Sequence, residues 1–308
     1  MANKSAVATA LMHALAKGKK VCAFIEAKAR FDEASNLFWG EKLKATGATV
    51  MYSYPGIKVH TKLMLIRRKE EDTIKGYAYL GTGNFNEKTA KLYGDHALLT
   101  ADKRVTDEVK QIFDLLERRI IVPKTKHLLV SPFTTRSGFV KMINKEIKLA
   151  KNGQEAYLIL KMNSLEDSGM IEKLYEASNA GVKIQLIVRG ICCLVPGVKN
   201  QSENIKVISI IDRFLEHARI YIFGNGGKEK MYLASADWMT RNLDRRVEVT
   251  FPIYDEKVYR ELRHIIDLQL ADNVKARKID SRQRNQIVKK GKASIRSQMA
   301  IYDFLAKK

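Results

Sequence analysis

Only three cysteines, five prolines and two tryptophans occur in the 308 residues, and 34 acidic side chains face 55 lysines and arginines. Cys22, Cys192 and Cys193 supply neither a disulfide framework nor a paired metal-ligand spacing, so the expected home is a reducing cytoplasm. No apolar run approaches the ~20 residues that a membrane-spanning helix needs. Ala6 to Ala16 is mildly apolar, but His13 interrupts it and no basic start or cleavage site frames it. An amphipathic helix is expected there, not a leader. The shortage of acid leaves a net charge of +21, which argues for a polyanionic partner and not for any fold.

What is present is a histidine motif that occurs twice. His60-Thr61-Lys62 precedes an apolar run and then Gly81-Thr82-Gly83-Asn84-Phe85-Asn86-Glu87, and His217-Ala218-Arg219 precedes an apolar run and then Ala234-Ser235-Ala236-Asp237-Trp238. Upstream, residues 18–32 and 153–167 each read as a strand entering an acidic turn, followed by helical segments at 36–46 and 170–180. A unit this long indicates a duplicated domain, with one site between two half-sites. The expected fold is therefore α/β, with a mixed sheet flanked by helices in each half. At 45% apolar the chain can bury two cores, and Val122-Pro123-Lys124 breaks the pattern, placing domains at 1–126 and 127–308. Residues 102–117, with Val105, Val109, Ile112, Phe113 and Leu116 at helical spacing, are expected to form a helix packed by one face.

A histidine on a strand with a cation two residues on would direct imidazole and charge to one sheet face, because strand side chains alternate. The Gly81 to Asn84 turn offers backbone N–H groups and a carboxamide, donors suited to phosphate oxygens. A nitrogen nucleophile, cations and neutral donors together suit phosphoryl chemistry. Asp95 and Glu248 are candidates for accepting a hydrogen bond from the distal nitrogen of a histidine.

His-x-Lys followed by a small-residue turn ending in Asn resembles the phospholipase D superfamily, in which two halves each give one histidine. That family's pattern has Asp five residues after the cation, where this chain has Arg67 and Gly224. A closer resemblance is to polyphosphate kinase of the bacterial, histidine-phosphorylating type. It is carried by Pro55 to Lys62, Gly81 to Ala90, Leu186 to Gly190, Asp212 to His217 and Ser235 to Asn242, and runs over nearly the whole chain. The resemblance implies two phospholipase D-like catalytic domains and a reversible transfer of the terminal phosphate of ATP to polyphosphate. His60 would carry the phosphohistidine, and His217 would contact the nucleotide phosphates and assist proton transfer. Tyr93 would be a platform for the base and Arg189 a phosphate cation, while Arg30 matches an arginine of the magnesium-nucleotide site. A charged arginine cannot ligate a metal, so Arg30 is expected to grip the phosphates that carry Mg2+. Lys62, Arg246 and Asn84 join the expected phosphate-binding set by location and chemistry.

The expected partners are ATP or ADP and inorganic polyphosphate. The family's full-length enzymes are expected to be homo-oligomers, and peripheral membrane contact is left open. They also carry two further domains ahead of this region, so this chain is expected to be a C-terminal portion. From Asn273 onward there are 11 basic and 2 acidic residues, which fit either a guide for a phosphate polymer or a solvated basic surface. Nucleic acid is not the expected polyanion, because no zinc-finger spacing and no aromatic RNA-binding motif is present. Two alternative readings of the sequence are a phospholipase D-like phosphodiesterase, against which Arg67 and Gly224 stand, and a non-catalytic module that binds polyphosphate or nucleic acid.

Overall fold

The computed structural model describes residues 5–26, 33–53, 56–288, 291 and 293–307. Arg30 lies outside them, as do Tyr54, Pro55, Lys289, Lys290 and Lys292. The first part of the chain runs α1 (Ala6–Ala16), β1 (Cys22–Ile25), α2 (Glu33–Ala45), β2 (Thr49–Tyr52), β3 (Lys58–Val59), β4 (Lys62–Glu70), β5 (Thr73–Gly81), α3 (Glu87–Ala90), β6 (Tyr93–Gly94), β7 (Ala97–Thr100) and α4 (Lys103–Leu116). The second part runs β8 (Leu129–Ser131), α5 (Thr135–Lys151), β9 (Tyr157–Met162), α6 (Ser168–Asn179), β10 (Lys183–Val188), β11 (Ile205–Ile210), β12 (Leu215–Glu216), β13 (Arg219–Phe223) and β14 (Lys230–Ala234). It ends with α7 (Thr240–Asp244), β15 (Arg246–Pro252), α8 (Glu256–Leu270), β16 (Ala276–Ile279), β17 (Gln286–Ile287) and α9 (Ser297–Ala306).

The class is α/β, and the expected helices fall where α2, α6 and α4 lie. Asp167 caps α6 by accepting from the Met170 N–H, and Asp102 caps α4 by accepting from the Arg104 N–H. One large mixed sheet has the order β17-β16-β11-β10-β9-β13-β14-β15-β3, with β8 also on β15. In the second half, β9 lies between β10 and β13. Its counterpart β1 pairs with β2 alone among the described residues, and β4, β5 and β7 form a separate sheet. The difference follows burial: β9 buries its last five residues, whereas β1 buries one.

The cores are divided by sheet face, not by chain half. Along β9 and β13, Leu158, Leu160, Tyr221 and Phe223 face one core with Phe139, Ile143, Leu174 and Trp238 from the helices and loops above. Ile159, Ile220 and Ile222 alternate to the other face, where they meet Val105, Val109 and Ile112 of α4 and Leu262 and Ile266 of α8. Ala78 and Leu80 of β5 share this second core with Val247 and Val249 of β15, so the two halves are packed together directly beneath the histidines. Phe139 touches the rings of Tyr221, Phe223 and Trp238, and truncation to alanine there costs about 3–5 kcal/mol.

Candidate active site

Each histidine sits in a break between two strands, not within one. Strand β3 pairs in parallel with β15 through Lys58–Arg246 and Val59–Val247. The ladder then stops, because the Val247 carbonyl accepts from both the His60 and the Thr61 N–H, at 3.0 and 3.1 Å. Strand β12 pairs in parallel with β6 through Leu215–Tyr93 and Glu216–Gly94. There the Gly94 carbonyl accepts from both the His217 and the Ala218 N–H, at 3.1 and 3.0 Å. Two consecutive amides on one carbonyl make a bulge, which turns the side chain off the sheet face it would otherwise share. The strand placement expected from sequence is corrected accordingly. Lys62 and Arg219 still converge on their histidines: the Lys62 ammonium donates to the His60 carbonyl, and Arg219 Nη1 donates to the His217 carbonyl at 2.8 Å.

The halves exchange carboxylates. Glu248, which follows the carbonyl that holds His60, lies 2.9 and 3.0 Å from His60 Nδ1. Asp95, which follows the carbonyl that holds His217, lies 2.8 and 3.0 Å from His217 Nδ1. A hydroxyl backs each carboxylate: Ser235 donates to Glu248 at 2.5 Å, and Thr82 to Asp95 at 2.6 Å. The sequence alone does not single out Thr82, Ser235 and Asn242 as holders of carboxylates. A signal exists for the first two, since each hydroxyl precedes its carboxylate by 13 residues. Asn242, which donates to Glu248 at 2.6 Å, has no such repeat to reveal it.

Burial pushes the Glu248 carboxyl up, but His60, Lys62 and the Ser235 hydroxyl outweigh it and hold the group below the usual carboxylate range. Burial likewise lowers His60, to about 4, despite the opposing Glu248 charge. Near neutral pH, therefore, an ionised carboxylate faces a neutral imidazole. Because an ionised carboxylate only accepts, Nδ1 must carry the proton, which leaves the Nε2 lone pair unprotonated. The other pair follows the same logic. Asp95 is pushed up by burial but brought below its usual value by His217 and Thr82, and His217 is lowered, chiefly by burial. Both half-sites can present a basic nitrogen.

The cations differ. Arg219 is ion-paired with Asp237 at 3.0 Å, and Asp237 also accepts from the Asn163 and Ser164 N–H groups. Asn84 holds the matching place in the first half, where it is exposed and makes no polar side-chain contact with a described residue. Lys62 thus has no ion pair of its own among the described residues, and burial brings its ammonium down to about 7. Of the donors expected in the Gly81 to Asn84 turn, the Thr82 N–H is already held by the His96 carbonyl at 3.0 Å. Gly83 is required for a close approach: a Cβ there would lie 2.3 Å from the Asp95 carboxylate.

Tyr93 packs its ring on His217, with centroids 5.1 Å apart. Arg189 donates to the Glu216 carbonyl at 2.8 Å and to Asn163 Oδ1 at 3.1 Å, and Asn163 donates to the His217 carbonyl at 3.0 Å. Tyr93, Arg189 and His217 therefore converge on the short strand β12. Arg246 heads β15 beside β3, half-buried, and burial lowers its guanidinium against the opposing charge of Glu248. Among the described residues, no cluster of three or more His, Cys, Asp or Glu could hold a metal, because the site's carboxylates are taken by imidazoles and cations. The described residues do not fit a protein-held Mg2+, and Arg30 lies outside them.

Fold and site together define a duplicated α/β protein with two reciprocal imidazole–carboxylate pairs. Residues 1–121 match the family described as Polyphosphate kinase C-terminal domain 1, and residues 128–298 match Polyphosphate kinase C-terminal domain 2. The chain belongs to the polyphosphate kinase family. It is 46% identical over 306 residues to the polyphosphate kinases of Escherichia coli K12 and Klebsiella pneumoniae, covering 99% of this chain but 44% and 45% of those proteins. The crystal structure of polyphosphate kinase from Porphyromonas gingivalis superposes with a TM-score of 0.92 at 42% identity, covering 100% of this chain and 47% of that one. The chain thus spans under half the length of these relatives. No helix among the described residues is long and apolar enough to cross a membrane.

Proposed function

We propose that this chain is the catalytic part of an ATP:polyphosphate phosphotransferase, organised as domains 1–126 and 127–308, with its site between His60 and His217. The observation that carries the reading is the His60 imidazole anchored through Nδ1 to the buried Glu248 carboxylate, at 2.9 and 3.0 Å, which leaves Nε2 as the nitrogen that can attack. In the first half-reaction Nε2 attacks the terminal phosphorus of ATP. The N–P bond forms as the P–O bond to ADP breaks, and ADP departs with the electron pair. In the second, a terminal oxygen of polyphosphate attacks the phosphohistidine and restores the imidazole. A phosphoramidate is energy-rich, so the sequence runs both ways. Charge in the transition state gathers on peripheral oxygens, which places the work on cations. Lys62, Arg189 and Arg246 are the described cations proposed for that work, with Arg30 beside them by resemblance.

Tyr93 would bear the base, and His217 would sit against the nucleotide phosphates and pass protons through Nε2. Asn84, exposed and without a polar side-chain contact to a described residue, is a phosphate donor in this reading. Magnesium would enter on the nucleotide. We place the protein in the cytoplasm, with homo-oligomerisation and membrane contact as open parts of the same proposal. The test is incubation of the chain with Mg2+ and ATP labelled on its terminal phosphate. Acid-labile, base-stable label that is lost in His60→Ala is expected. Equal label in that variant would overturn the assignment of His60.

A further inference from the structure

The C-terminal helix α9 is fastened to the segment that leads into His217. Gln298, only 6% exposed, accepts from the Phe214 N–H at 2.9 Å and donates to the Phe214 carbonyl at 2.9 Å and to Glu216 Oε1 at 2.8 Å. Glu216 is itself buried, and its other oxygen accepts from Lys161 at 2.6 Å and Gln269 at 2.8 Å. The residues just ahead of Gln298 are tied as firmly. Arg296 makes a two-pronged pair with Asp212, at 2.6 and 2.7 Å, and Ser297 donates to Asp272 through both N–H and hydroxyl.

The Gln298 bonds fall on Glu216 of the two-residue strand from which the nucleotide side of the site hangs, and on Phe214 just ahead of it. Leu215 and Glu216 pair with Tyr93 and Gly94, the Glu216 carbonyl takes the Arg189 guanidinium, and His217 follows directly. The matching strand in the other half has an anchor of its own: the Val59 N–H donates to Glu26 at 2.9 Å. A strand of two residues has little ladder of its own, so its position is set by what grips it from behind.

We propose that Gln298 is a positioning residue for the His217 half-site, through which α9 fixes β12 and with it the His217 imidazole, the Tyr93 ring and the Arg189 guanidinium. This rests on the reading that these three groups serve phosphoryl transfer. It gives the end of the basic C-terminal tail a place in the catalytic unit. The contact to Glu216 is charge-assisted, and its loss beside a buried carboxylate leaves that group short of a donor.

The test uses the chain labelled with 15N in its histidines, with imidazole nitrogen shifts followed across pH for wild type, Gln298→Met, Gln298→Asn and the control Tyr302→Ala. Tyr302 is on the same helix and 67% exposed. In Gln298→Met the His217 pKa is expected to rise toward the ordinary imidazole value as water reaches the ring, with His60 unmoved, and ADP affinity is expected to fall about tenfold. Gln298→Asn, which reaches one partner instead of two, should fall between, and Tyr302→Ala should match wild type. The Asn variant decides if the Met variant does not fold. Unchanged His217 signals in a folded variant would overturn the proposal, and so would equal movement of His60 and His217. The spectra need no turnover, so a wild-type chain that takes no label from ATP would sink the functional reading without touching this one.

Discussion

Glu248 is wholly buried and accepts three hydrogen bonds, from His60, Ser235 and Asn242. Asp95, built into the mirror position, keeps 22% of its side chain exposed and accepts from His217 and Thr82 alone among the described side chains. The cations are opposed in the same way: Arg219 is neutralised by Asp237, and among the described residues Lys62 has no acid of its own. A duplicated scaffold has thus been made unequal at four matched positions, Lys62/Arg219, Thr82/Ser235, Asn84/Asp237 and Asp95/Glu248, around the same imidazole–carboxylate pairing. One half holds its imidazole beside a cation that has no acid partner among the described residues, as the proposed nucleophile taking up a phosphoryl group requires. The other holds its imidazole under an aromatic ring with its cation already satisfied, which suits a group that contacts a nucleotide and handles protons.

The sharpest way to break this comparison is to neutralise the two carboxylates in turn. Glu248→Gln removes the acceptor that fixes the His60 tautomer, and the rate of phosphohistidine formation should fall by about 10⁴, as when the acid behind a catalytic histidine is amidated. Asp95→Asn should cost less, about 10² in turnover, with some labelling of His60 retained. Equal losses in the two variants, read by rapid-quench labelling, would mean that the half-sites are not specialised. Tyr93→Ala should weaken ADP binding by about tenfold, within the range of a lost ring contact, and polyphosphate binding by less. The opposite order in a calorimetric titration would contradict the nucleotide side assigned to His217.

A smaller effect is expected from pH. Protonation of His60 as pH falls through about 4 removes its lone pair, so labelling should be lost on the acid side. Lys62 loses its charge as pH rises through about 7, so the labelling rate should decline severalfold above neutrality. In Lys62→Arg the charge persists at high pH, and that alkaline decline should vanish from the rate profile. Its persistence would assign the limb to another group.

Much of this was legible in the chain because duplication writes each element twice. The helices at 36–46 and 170–180 and the amphipathic stretch at 102–117 lie within a few residues of α2, α6 and α4, since caps and apolar spacing are local signals. The paired histidines and the acids at 95 and 248 could be found from residue type and position. What could not be read was which acid serves which histidine, because β3 crosses to β15 and β12 to β6, and such exchange between halves leaves no local trace. The histidines were expected inside strands because the flanking residues alternate. The bulges arise from single carbonyls of the opposite half, Val247 and Gly94, which sequence spacing does not reveal. Asn242 and Gln298 were hidden for a similar reason: their work is done on residues far along the chain.

His60 can attack through Nε2 because its Nδ1 is committed to Glu248. The isomer of the phosphohistidine formed from ATP reports that commitment directly, through phosphorus–nitrogen couplings in protein labelled with 15N-histidine or through isomer-selective antibodies on the trapped peptide. Phosphate on Nε2 of His60 is the predicted result. Phosphate on Nδ1, or on His217 instead, would contradict it.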